Sequence, residues 1–375
     1  MRIGFDAKRL FNNFTGLGNY SRFVVDALSK HYPENEYWLY TPKARQHADV
    51  DPILQSPNIK TLLPPAVVAP LKLGSFWRSM RIAKHAHRHD VQLFHGLSNE
   101  LPLSIPKKLK TVVTIHDLIF KRYPQFYNPV DVRIYSWKFH EACHAADRIV
   151  AISQQTKEDI VHYLDVDEQK IEVIYQGCHP IFKQQYGAQE LANVKLKYQL
   201  PAEFILNVGT IESRKNALSV IKALVASGIK LPLVIVGKTT SYKKELEEYI
   251  NQNKLSNQVY FIHTVQFVDL PLIYRSAKVF VYPSLFEGFG IPIVEAIASG
   301  VPVISSTGSC FSEAGGPDCL YVDPMNYEQL GNAIQKVLSS SEQTKNMTER
   351  STQYIQRFEP KVIATDLMKV YQELV

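Results

Sequence analysis

Residues 278–306 read KVFVYPSLFEGFGIPIVEAIASGVPVISS, which predicts a strand, a loop, a helix and a second strand in succession. The segments 278–284 and 301–306 are apolar, which is typical of strands covered on both faces of a parallel sheet. Pro292 suits the first turn of the helix, and Gly300 closes it. A strand–helix–strand unit of this kind is the building block of a doubly wound α/β fold.

The same alternation runs through the whole chain and predicts two domains. The predicted strands cover residues 2–7, 36–41, 59–63, 91–96, 111–117, 148–153, 170–175, 203–209, 232–237, 258–265, 278–284, 301–306 and 320–323. A polar segment with two glycines and a proline separates the two halves. We therefore place an N-terminal domain at 1–183 and a C-terminal domain at 184–359, with the amphipathic helix 360–375 packing back on the first.

Composition limits the class of protein. Of the 375 residues, 45% are hydrophobic and 21% are charged, which is ordinary for a soluble globular protein. The net charge of +6 is too small to argue for nucleic-acid binding. The four cysteines form no C-x-x-C pair, and we expect no zinc site. No signal peptide or transmembrane run is recognised, so the sequence predicts a cytoplasmic protein.

Two motifs in the first half follow predicted strands. Gly16 and Gly18 precede a helix, and a glycine turn at a helix N-terminus can bind an anion, although a simple turn explains the pattern equally well. His116 and Asp117 stand where an apolar strand ends. Because ligands bind at the carboxyl ends of strands in open α/β sheets, this pair is a candidate for function.

Two further motifs lie in the second half. Arg214 and Lys215 follow a strand and suit a diphosphate, although a solvated charged turn would read the same way. Glu287 lies in a glycine-containing loop and Glu295 lies in an apolar helix. A buried carboxylate is costly unless hydrogen-bond donors meet it, so either a ligand or a capped helix with one satisfied core glutamate explains this spacing.

Together these motifs resemble a known family. The segment EGFGIPIVE (287–295) resembles the signature of the retaining GT-B glycosyltransferases of family 4. GTIESRKN (209–216) resembles the phosphate-binding turn of that family, and TGLGNY (15–20) its N-terminal glycine loop. VVTIHDLIFKRYP (112–124) is similar to bacterial members that are often mannosyltransferases. The resemblance implies two Rossmann-like domains facing across a cleft.

The resemblance also implies roles for residues of the second half. Glu287 would hold the transferred sugar, Glu295 the ribose, and Arg214 and Lys215 the diphosphate. Thr210 stands where some relatives carry an arginine that contacts the donor. The nucleotide base would lie near Thr264 and Val265. Backbone contacts to the sugar or the diphosphate are implied for Phe289, Gly290 and Ile291.

In the first half, Gly18 would contact phosphate across the cleft, and His116 would lie beside the sugar on the acceptor side. Gly16 and Asp117, their neighbours, are predicted to bind substrate as well. The implied reaction moves a hexose, best matched by mannose from GDP-mannose, to a glycan or polyprenyl-linked glycan in cell-surface polysaccharide synthesis. A UDP-glucose- or UDP-N-acetylglucosamine-dependent transferase and a non-catalytic nucleotide-sugar-binding protein remain as alternatives. No cofactor or metal is expected.

Two other features of the sequence concern metal binding and membrane contact. The strings Asp-Val-Asp at 49–51 and 165–167 match the metal motif of GT-A enzymes, but neither directly ends a strong apolar strand, so both are read as solvated loops. Residues 71–90 mix aromatic and basic side chains in a helical pattern. Such a helix can lie in a membrane interface, which predicts peripheral contact with the inner face of the membrane, or it can simply pack on the N-terminal domain.

Overall fold

In the computed structural model, which describes residues 1–65 and 74–375, the chain divides into two units. Unit 1 comprises Met1–Gly177 and Phe358–Val375, and unit 2 comprises Cys178–Arg357. Each unit contains one wholly parallel sheet with helices in the connections. The predicted architecture of two doubly wound α/β sheets is therefore confirmed.

Unit 1 is built on a sheet of seven strands. The strands are β1 (Arg2–Asp6), β2 (Glu36–Tyr40), β3 (Ile59–Leu62), β4 (Leu93–Gly96), β5 (Lys110–Ile115), β6 (Arg148–Ala151) and β7 (Ile171–Val173). The helices are α1 (Lys8–Asn12), α2 (Gly16–His31), α3 (Asp51–Leu54), α4 (Gly74–Met80), α5 (Ile82–Arg88), α6 (Ile119–Arg122), α7 (Pro129–Ala145) and α8 (Gln154–Leu164).

Unit 2 is built on a sheet of six strands. Its helices begin with α9 (Ala188–Lys197), α10 (Ala217–Ser227), α11 (Lys243–Gln252) and α12 (Leu270–Ser276), and continue with α13 (Ile291–Ala298), α14 (Phe311–Gly315), α15 (Tyr327–Ser339) and α16 (Ser341–Tyr354). The strands are β8 (Ile205–Val208), β9 (Leu233–Val236), β10 (Val259–Ile262), β11 (Val279–Tyr282), β12 (Val303–Ser306) and β13 (Leu320–Val322).

Strand order fixes where a ligand can approach each sheet. The order is β3-β2-β1-β4-β5-β6-β7 in unit 1 and β10-β9-β8-β11-β12-β13 in unit 2. In both sheets the chain winds outward in one direction and then in the other, so the switch points lie between β1 and β4 and between β8 and β11. The connections that leave the carboxyl ends of the two strands beside a switch point run to opposite sides, and the crevice between them is the usual ligand site of such folds.

The strands form because both of their faces are covered. All four residues of β9 and of β11 are buried, and Val220 and Leu224 of α10 pack in the same apolar cluster. The last helix, α17 (Pro360–Leu374), belongs to unit 1 and packs on α2. The buried hydroxyl of its Tyr371 lies 2.6 Å from Nδ1 of His95 on β4, which ties the end of the chain to the first sheet.

The predicted single helix over 71–90 is wrong for the part that the structure describes. Residues 71–73 lie outside the described residues, and the rest forms two short helices, α4 and α5. Trp77 is 1% exposed and donates from Nε1 to Nδ1 of His85 (3.2 Å), and Arg78 is buried in ion pairs. These two side chains bind within unit 1, so they cannot belong to a membrane-facing surface. Within the described ranges, no helix is both long enough and apolar enough to span a bilayer.

Candidate active site

Two loops meet at the switch point of unit 2. The loop after β8 forms a short 3-10 turn at Ser213–Lys215, and the loop after β11 leads into α13. The amide of Leu285 donates to the carbonyl oxygen of Arg214 (2.9 Å), which joins the two loops directly. Asn216, in the left-handed region at φ 54°, donates from its side chain to the carbonyl of Pro283 (3.2 Å). The loops are thus held in a fixed relation by one backbone hydrogen bond and one from the Asn216 side chain.

These loops bring Glu287, Lys215 and Arg214 together. Nζ of Lys215 lies 2.5 Å from Oε1 of Glu287, and Nη1 of Arg214 lies 2.9 Å from the same oxygen. The three side chains are only 11–15% exposed. Residues that are about seventy positions apart in the sequence therefore form one buried charge cluster, at the point where the fold places ligands.

Two hydroxyl groups complete the surroundings of the Glu287 carboxylate. Tyr282 (3.0 Å) and Ser284 (2.6 Å) donate to Oε1, and Lys215 also donates to the Tyr282 hydroxyl (2.6 Å). Every contact recorded for the carboxylate among the described residues thus ends on Oε1. Tyr282 and Ser284 were not predicted as site residues, although both belong to the YPS segment just before the predicted loop.

The Glu287 carboxylate keeps its charge at neutral pH. Burial alone would raise the pKa of Glu287, but Lys215 and Arg214 outweigh it and lower that pKa to about 2. Burial lowers the pKa of Lys215, and the Glu287 carboxylate opposes this shift. For Arg214 burial would also lower the pKa, yet Glu287 and Glu212 raise it above its usual value. A buried ion pair of this kind needs further hydrogen bonds to offset desolvation, and the hydroxyls supply them.

Arg214 is fixed by three acceptors. Besides Glu287, Nη1 donates to the carbonyl of Phe286 (2.6 Å) and Nη2 donates to Oε1 of Glu212 (2.7 Å). Glu212 was not predicted as a site residue, although it stands only two residues before Arg214. The cluster therefore holds two cations and two carboxylates, so an incoming diphosphate would share both cations with protein carboxylates.

The loop that carries Glu287 is also bound by the turn at Ser309 and Cys310. The hydroxyl of Ser309 (3.1 Å) and the thiol of Cys310 (3.2 Å) both donate to the backbone carbonyl oxygen of Glu287. Ser309 itself adopts the left-handed region at φ 49°. These two contacts from a distant turn orient the Glu287 peptide, and no sequence motif pointed to them.

Glu295 lies one turn inside α13, away from that cluster. Its Oε2 accepts a hydrogen bond from the hydroxyl of Tyr274 (3.1 Å), which belongs to α12. Burial raises the pKa of Glu295 to about 7, and the Tyr274 hydrogen bond opposes the rise. The carboxyl therefore changes charge near neutral pH. Gly290 precedes the helix at φ 98°, a conformation that favours glycine.

The other residues predicted to bind the donor lie on the same edge of the sheet. Phe289 is buried, and Ile291 is the first residue of α13. Thr210 is exposed just after β8. Thr264 is exposed and Val265 half-buried after β10, which β9 separates from β8.

In unit 1, His116 is enclosed by protein. Nε2 lies 2.9 Å from the carbonyl oxygen of Leu97, and Nδ1 lies 3.1 Å from the side-chain amide nitrogen of Gln176. Burial lowers the pKa of His116 to about 4, so the ring is neutral. A neutral ring that donates from Nε2 to a carbonyl accepts at Nδ1, which matches an amide donor. The ring of Tyr20 packs edge-on against it at 4.6 Å.

The neighbours of His116 shape the adjoining loops. Asn99 accepts a hydrogen bond from the backbone amide of His116 at Oδ1 (2.7 Å). Asp117 accepts from the amide of Ile119 (3.1 Å), at the start of α6. Gln176 and Asn99 were not singled out from the sequence, since neither stands in a recognisable motif.

Gly16 and Gly18 lie within the first turn of α2 rather than before the helix, and this turn is closely packed. A Cβ on Gly18 would lie 1.7 Å from the carbonyl oxygen of Asn13, whereas a Cβ on Gly16 would meet nothing within 4 Å. The buried guanidinium of Arg22 donates to the carbonyls of Leu10 (2.8 Å) and Asn13 (2.9 Å) and fixes the same turn. Gly18 is therefore required for the backbone of the turn itself.

The arrangement in unit 2 can bind an anion and hold polyhydroxylated groups. Its two cations are buried, so their interaction with a phosphate is screened less than it would be at the surface. Within the part of the chain that the structure describes, no group of three or more His, Cys, Asp or Glu side chains has metal-binding geometry.

Family models match nearly the whole chain. Residues 16–180 match the model described as "Glycosyltransferase Family 4", and residues 189–354 match that described as "Glycosyl transferases group 1". The two matches thus fall on the two sheets, and the second includes the whole Glu287 cluster.

Curated relatives and solved structures agree with these matches. The chain is 26% identical over 287 residues to O-antigen chain mannosyltransferase B of Escherichia coli, covering 75% of this chain and 74% of the relative. It is 28% identical over 286 residues to O-antigen chain mannosyltransferase RfbU of Salmonella typhimurium, covering 76% and 74%. The structure of Anabaena Alr3699/HepE in complex with UDP-glucose superposes with a TM-score of 0.74 at 18% identity, covering 100% of both chains.

Proposed function

This chain belongs to the family 4 glycosyltransferases of the GT-B fold and to their bacterial mannosyltransferase-like group, and we propose that it transfers mannose from GDP-mannose to a glycan acceptor with retention of anomeric configuration. The acceptor is a growing cell-surface polysaccharide, free or linked to a polyprenyl lipid. Two relatives named O-antigen chain mannosyltransferases support both the sugar and the pathway class.

The observation that carries the proposal is the contact of Lys215 and Arg214 with one oxygen of Glu287 at the switch point of unit 2. In our proposal the diphosphate of the donor binds the two cations, and the hydroxyls of the transferred sugar bind the carboxylate. Because all recorded contacts among the described residues use Oε1, Oε2 of Glu287 is the atom that we assign to the sugar.

The difficult step is departure of the nucleoside diphosphate while the anomeric carbon gains positive charge. Negative charge develops on the leaving phosphate, where Lys215 and Arg214 stabilise it. Removing one such preorganised group typically costs about 3 kcal/mol, or roughly a hundredfold in rate. In this scheme the two cations do the work for which other transferases use a divalent metal, so transfer continues in EDTA.

Retention then follows from attack on the face that the diphosphate leaves. A double displacement needs a carboxylate nucleophile beside the anomeric carbon. Glu287 is poorly suited to that role, because two cations and two hydroxyls bind its Oε1 and its pKa is about 2. We therefore assign the acceptor proton to the leaving phosphate.

A second donor class deserves a direct test. Anabaena HepE, which shares the fold at 18% identity, has been solved with UDP-glucose. UDP-glucose and UDP-N-acetylglucosamine would use the same contacts to the diphosphate and the sugar. The nucleotide base is the part of the donor that separates the two candidates, and we assign it to the edge formed by Thr264 and Val265.

The test is a panel of GDP-mannose, GDP, UDP-glucose, UDP-N-acetylglucosamine and UDP, each added to the full chain in a thermal-shift assay containing EDTA. We expect GDP-mannose and GDP to raise the melting temperature and the UDP compounds to have little effect. Donor turnover with and without an oligomannoside acceptor, followed by NMR of the product's anomeric proton, tests transfer and retention. An inverted product, or stabilisation by UDP-sugars alone, would contradict the proposal.

A further inference from the structure

Unit 1 contains a small groove that the proposed reaction does not use. It lies between the middle of α7 and the loop that follows β4, and it is lined by Ser79, Glu100, Leu103, Trp137, Lys138 and Glu141 among others. Its volume is about 120 Å³. Pockets for drug-sized ligands start at about 300 Å³, so this one suits a single ring. We call it the Trp137 groove.

Trp137 is unusually exposed for its size. Its side chain is 51% exposed, and Leu103 on the other wall is 52% exposed. By contrast Phe139 and Cys143 of the same helix are buried in the core of unit 1. A large aromatic ring on the outer face of a helix offers an apolar plane and an indole N–H, a combination that is enriched at binding sites.

The floor of the Trp137 groove is polar and fixed. Glu100 lies 3.1 Å from Nζ of Lys138 and 2.7 Å from Nη1 of Arg78, whose Nε contacts Asp6 at 2.6 Å. Burial would raise the pKa of Glu100, but Arg78 and Lys138 lower it below its ordinary value. A charged carboxylate and an ammonium are thus held in the same groove as Trp137, where they can accept from and donate to hydroxyl groups.

The loop that forms one wall also holds His116. Leu97 and Asn99 contact His116 through a carbonyl and a side-chain oxygen, and Glu100 is the next residue. A Cβ on Gly96, at the end of β4, would lie 2.1 Å from the carbonyl oxygen of Glu100. The loop therefore turns back tightly on its own strand, and a single short segment joins the Trp137 groove to the residue predicted on the acceptor side.

We propose that the Trp137 groove binds one sugar ring of the acceptor glycan, with the ring face on the Trp137 indole and its hydroxyls on Glu100 and Lys138. This inference rests on the proposed function, which supplies a glycan as acceptor. It adds an acceptor subsite within unit 1, built from residues other than those predicted to bind the donor.

The chemistry of the Trp137 groove favours a glycan over other occupants. An apolar chain would remove water from the Glu100–Lys138 pair and supply no hydrogen bonds in its place, which is unfavourable. An anionic lipid headgroup would meet Glu100 and Glu141, and like charges repel. A neutral sugar ring presents a C–H face to the indole and hydroxyls to the charged pair, so it satisfies both parts.

The test is binding of the full chain to an array of immobilised oligosaccharides that contain mannose, glucose, galactose or N-acetylglucosamine. We expect the wild type to bind at least one class, and Trp137→Ala to weaken that binding about tenfold, as expected for loss of an aromatic contact. Trp137→Phe should be intermediate. Leu103→Asp, at an equally exposed position on the other wall, should also weaken binding.

The matched control is Phe76→Ala, because Phe76 is an aromatic side chain of the same unit with 52% exposure that does not line the groove. Melting temperatures show whether each variant is folded. Absence of glycan binding by the wild type, or unchanged binding by a folded Trp137→Ala variant, would overturn the proposal. A change in vesicle binding or self-association alone, with glycan binding intact, would also overturn it and assign the face to a membrane or a second copy.

The array measures glycan binding in the absence of a nucleotide-sugar donor, so its outcome is independent of the GDP-mannose assay. Failure of GDP-mannose to bind the wild type would remove the proposed function. Glycan binding that depends on Trp137 would still stand in that case.

Discussion

Nζ of Lys215 lies 2.5 Å from Oε1 of Glu287, although the two residues belong to loops that follow different strands, β8 and β11. The pair is buried and shares its carboxylate oxygen with Arg214, Tyr282 and Ser284. Its position at the switch point of the second sheet makes it both a structural link between the loops and the centre of the candidate site.

Removing one member of this pair should harm stability as well as activity. Lys215→Met leaves the Glu287 carboxylate buried with one cation fewer, and truncating a buried ion pair typically costs about 3–5 kcal/mol. Transfer should fall at least about a hundredfold. Urea denaturation and donor turnover measure the two effects separately.

The double variant Lys215→Met/Glu287→Gln separates charge balance from chemistry. It removes both charges, so it should recover most of the stability lost in Lys215→Met, while transfer stays absent. Arg214 keeps Glu212 as its partner in this variant. If the two substitutions instead add up in their effect on the free energy of unfolding, the pair is not energetically coupled.

The same carboxylate should make stability depend on pH. The pKa of Glu287 is lowered to about 2 in the folded protein from an ordinary value of 4.5, which corresponds to a contribution of about 3 kcal/mol. This contribution is complete above about pH 4.5 and is lost as the pH falls toward 2. The wild type should therefore exceed Glu287→Gln in free energy of unfolding at pH 6, and the difference should shrink toward pH 3. A constant difference would show that the carboxylate is not held by its cations.

His116 should remain neutral throughout the physiological range. Burial lowers its pKa from 6.5 to about 4 in the folded protein. As the pH falls, His116 is therefore protonated in the unfolded chain before it is protonated in the folded one. The contribution of His116 to stability is complete above about pH 6.5 and is lost between pH 6.5 and pH 4. NMR of the ring nitrogens, assigned with His116→Gln, should show a proton on Nε2 and no titration from pH 5 to pH 8. A titration midpoint near 6.5 would contradict the buried environment.

Gly18 and Gly16 provide a matched pair in the first turn of α2. Gly18→Ala places a Cβ 1.7 Å from the carbonyl oxygen of Asn13, whereas Gly16→Ala meets no atom within 4 Å. Gly18→Ala should lower the free energy of unfolding by about 3 kcal/mol, the upper range for overpacking. Gly16→Ala should leave the melting temperature unchanged. Equal melting temperatures for the two variants would mean that the turn adapts without cost.

Much of the fold could be predicted because its signals are local. Runs such as 278–284 and 301–306 are mostly apolar on both faces, which is typical of a covered parallel strand, and the structure has β11 and β12 there. All thirteen predicted strands are present within the described residues, each trimmed at one end or both or shifted by a residue. The first and last residues of each strand are predicted less accurately, because they depend on contacts with residues that are distant in the sequence.

The candidate site could be predicted only in part. Arg214, Lys215 and Glu287 stand out because charged residues directly after apolar strands must lie at the carboxyl edge of the sheet. Glu212, Gln176 and Asn99 do not stand out, since their roles depend on contacts with residues far away in the chain. The burial of Trp77 and Arg78 was missed for the same reason: Asp6 and Glu100, which pair with Arg78, lie on other segments.

The sequence by itself determined the alternation of strands and helices, the division into two sheets and the identity of the charged residues at the strand ends. Those properties follow from the periodicity of hydrophobic residues and from the residue types that favour turns, and both are set by residues close together in the sequence. Only the tertiary structure decided that four groups meet at one carboxylate oxygen of Glu287, and that Trp137 rather than Trp77 faces solvent. These contacts depend on strand order and on side-chain packing between distant segments. A change of one rotamer can break such a contact and expose the side chain to solvent.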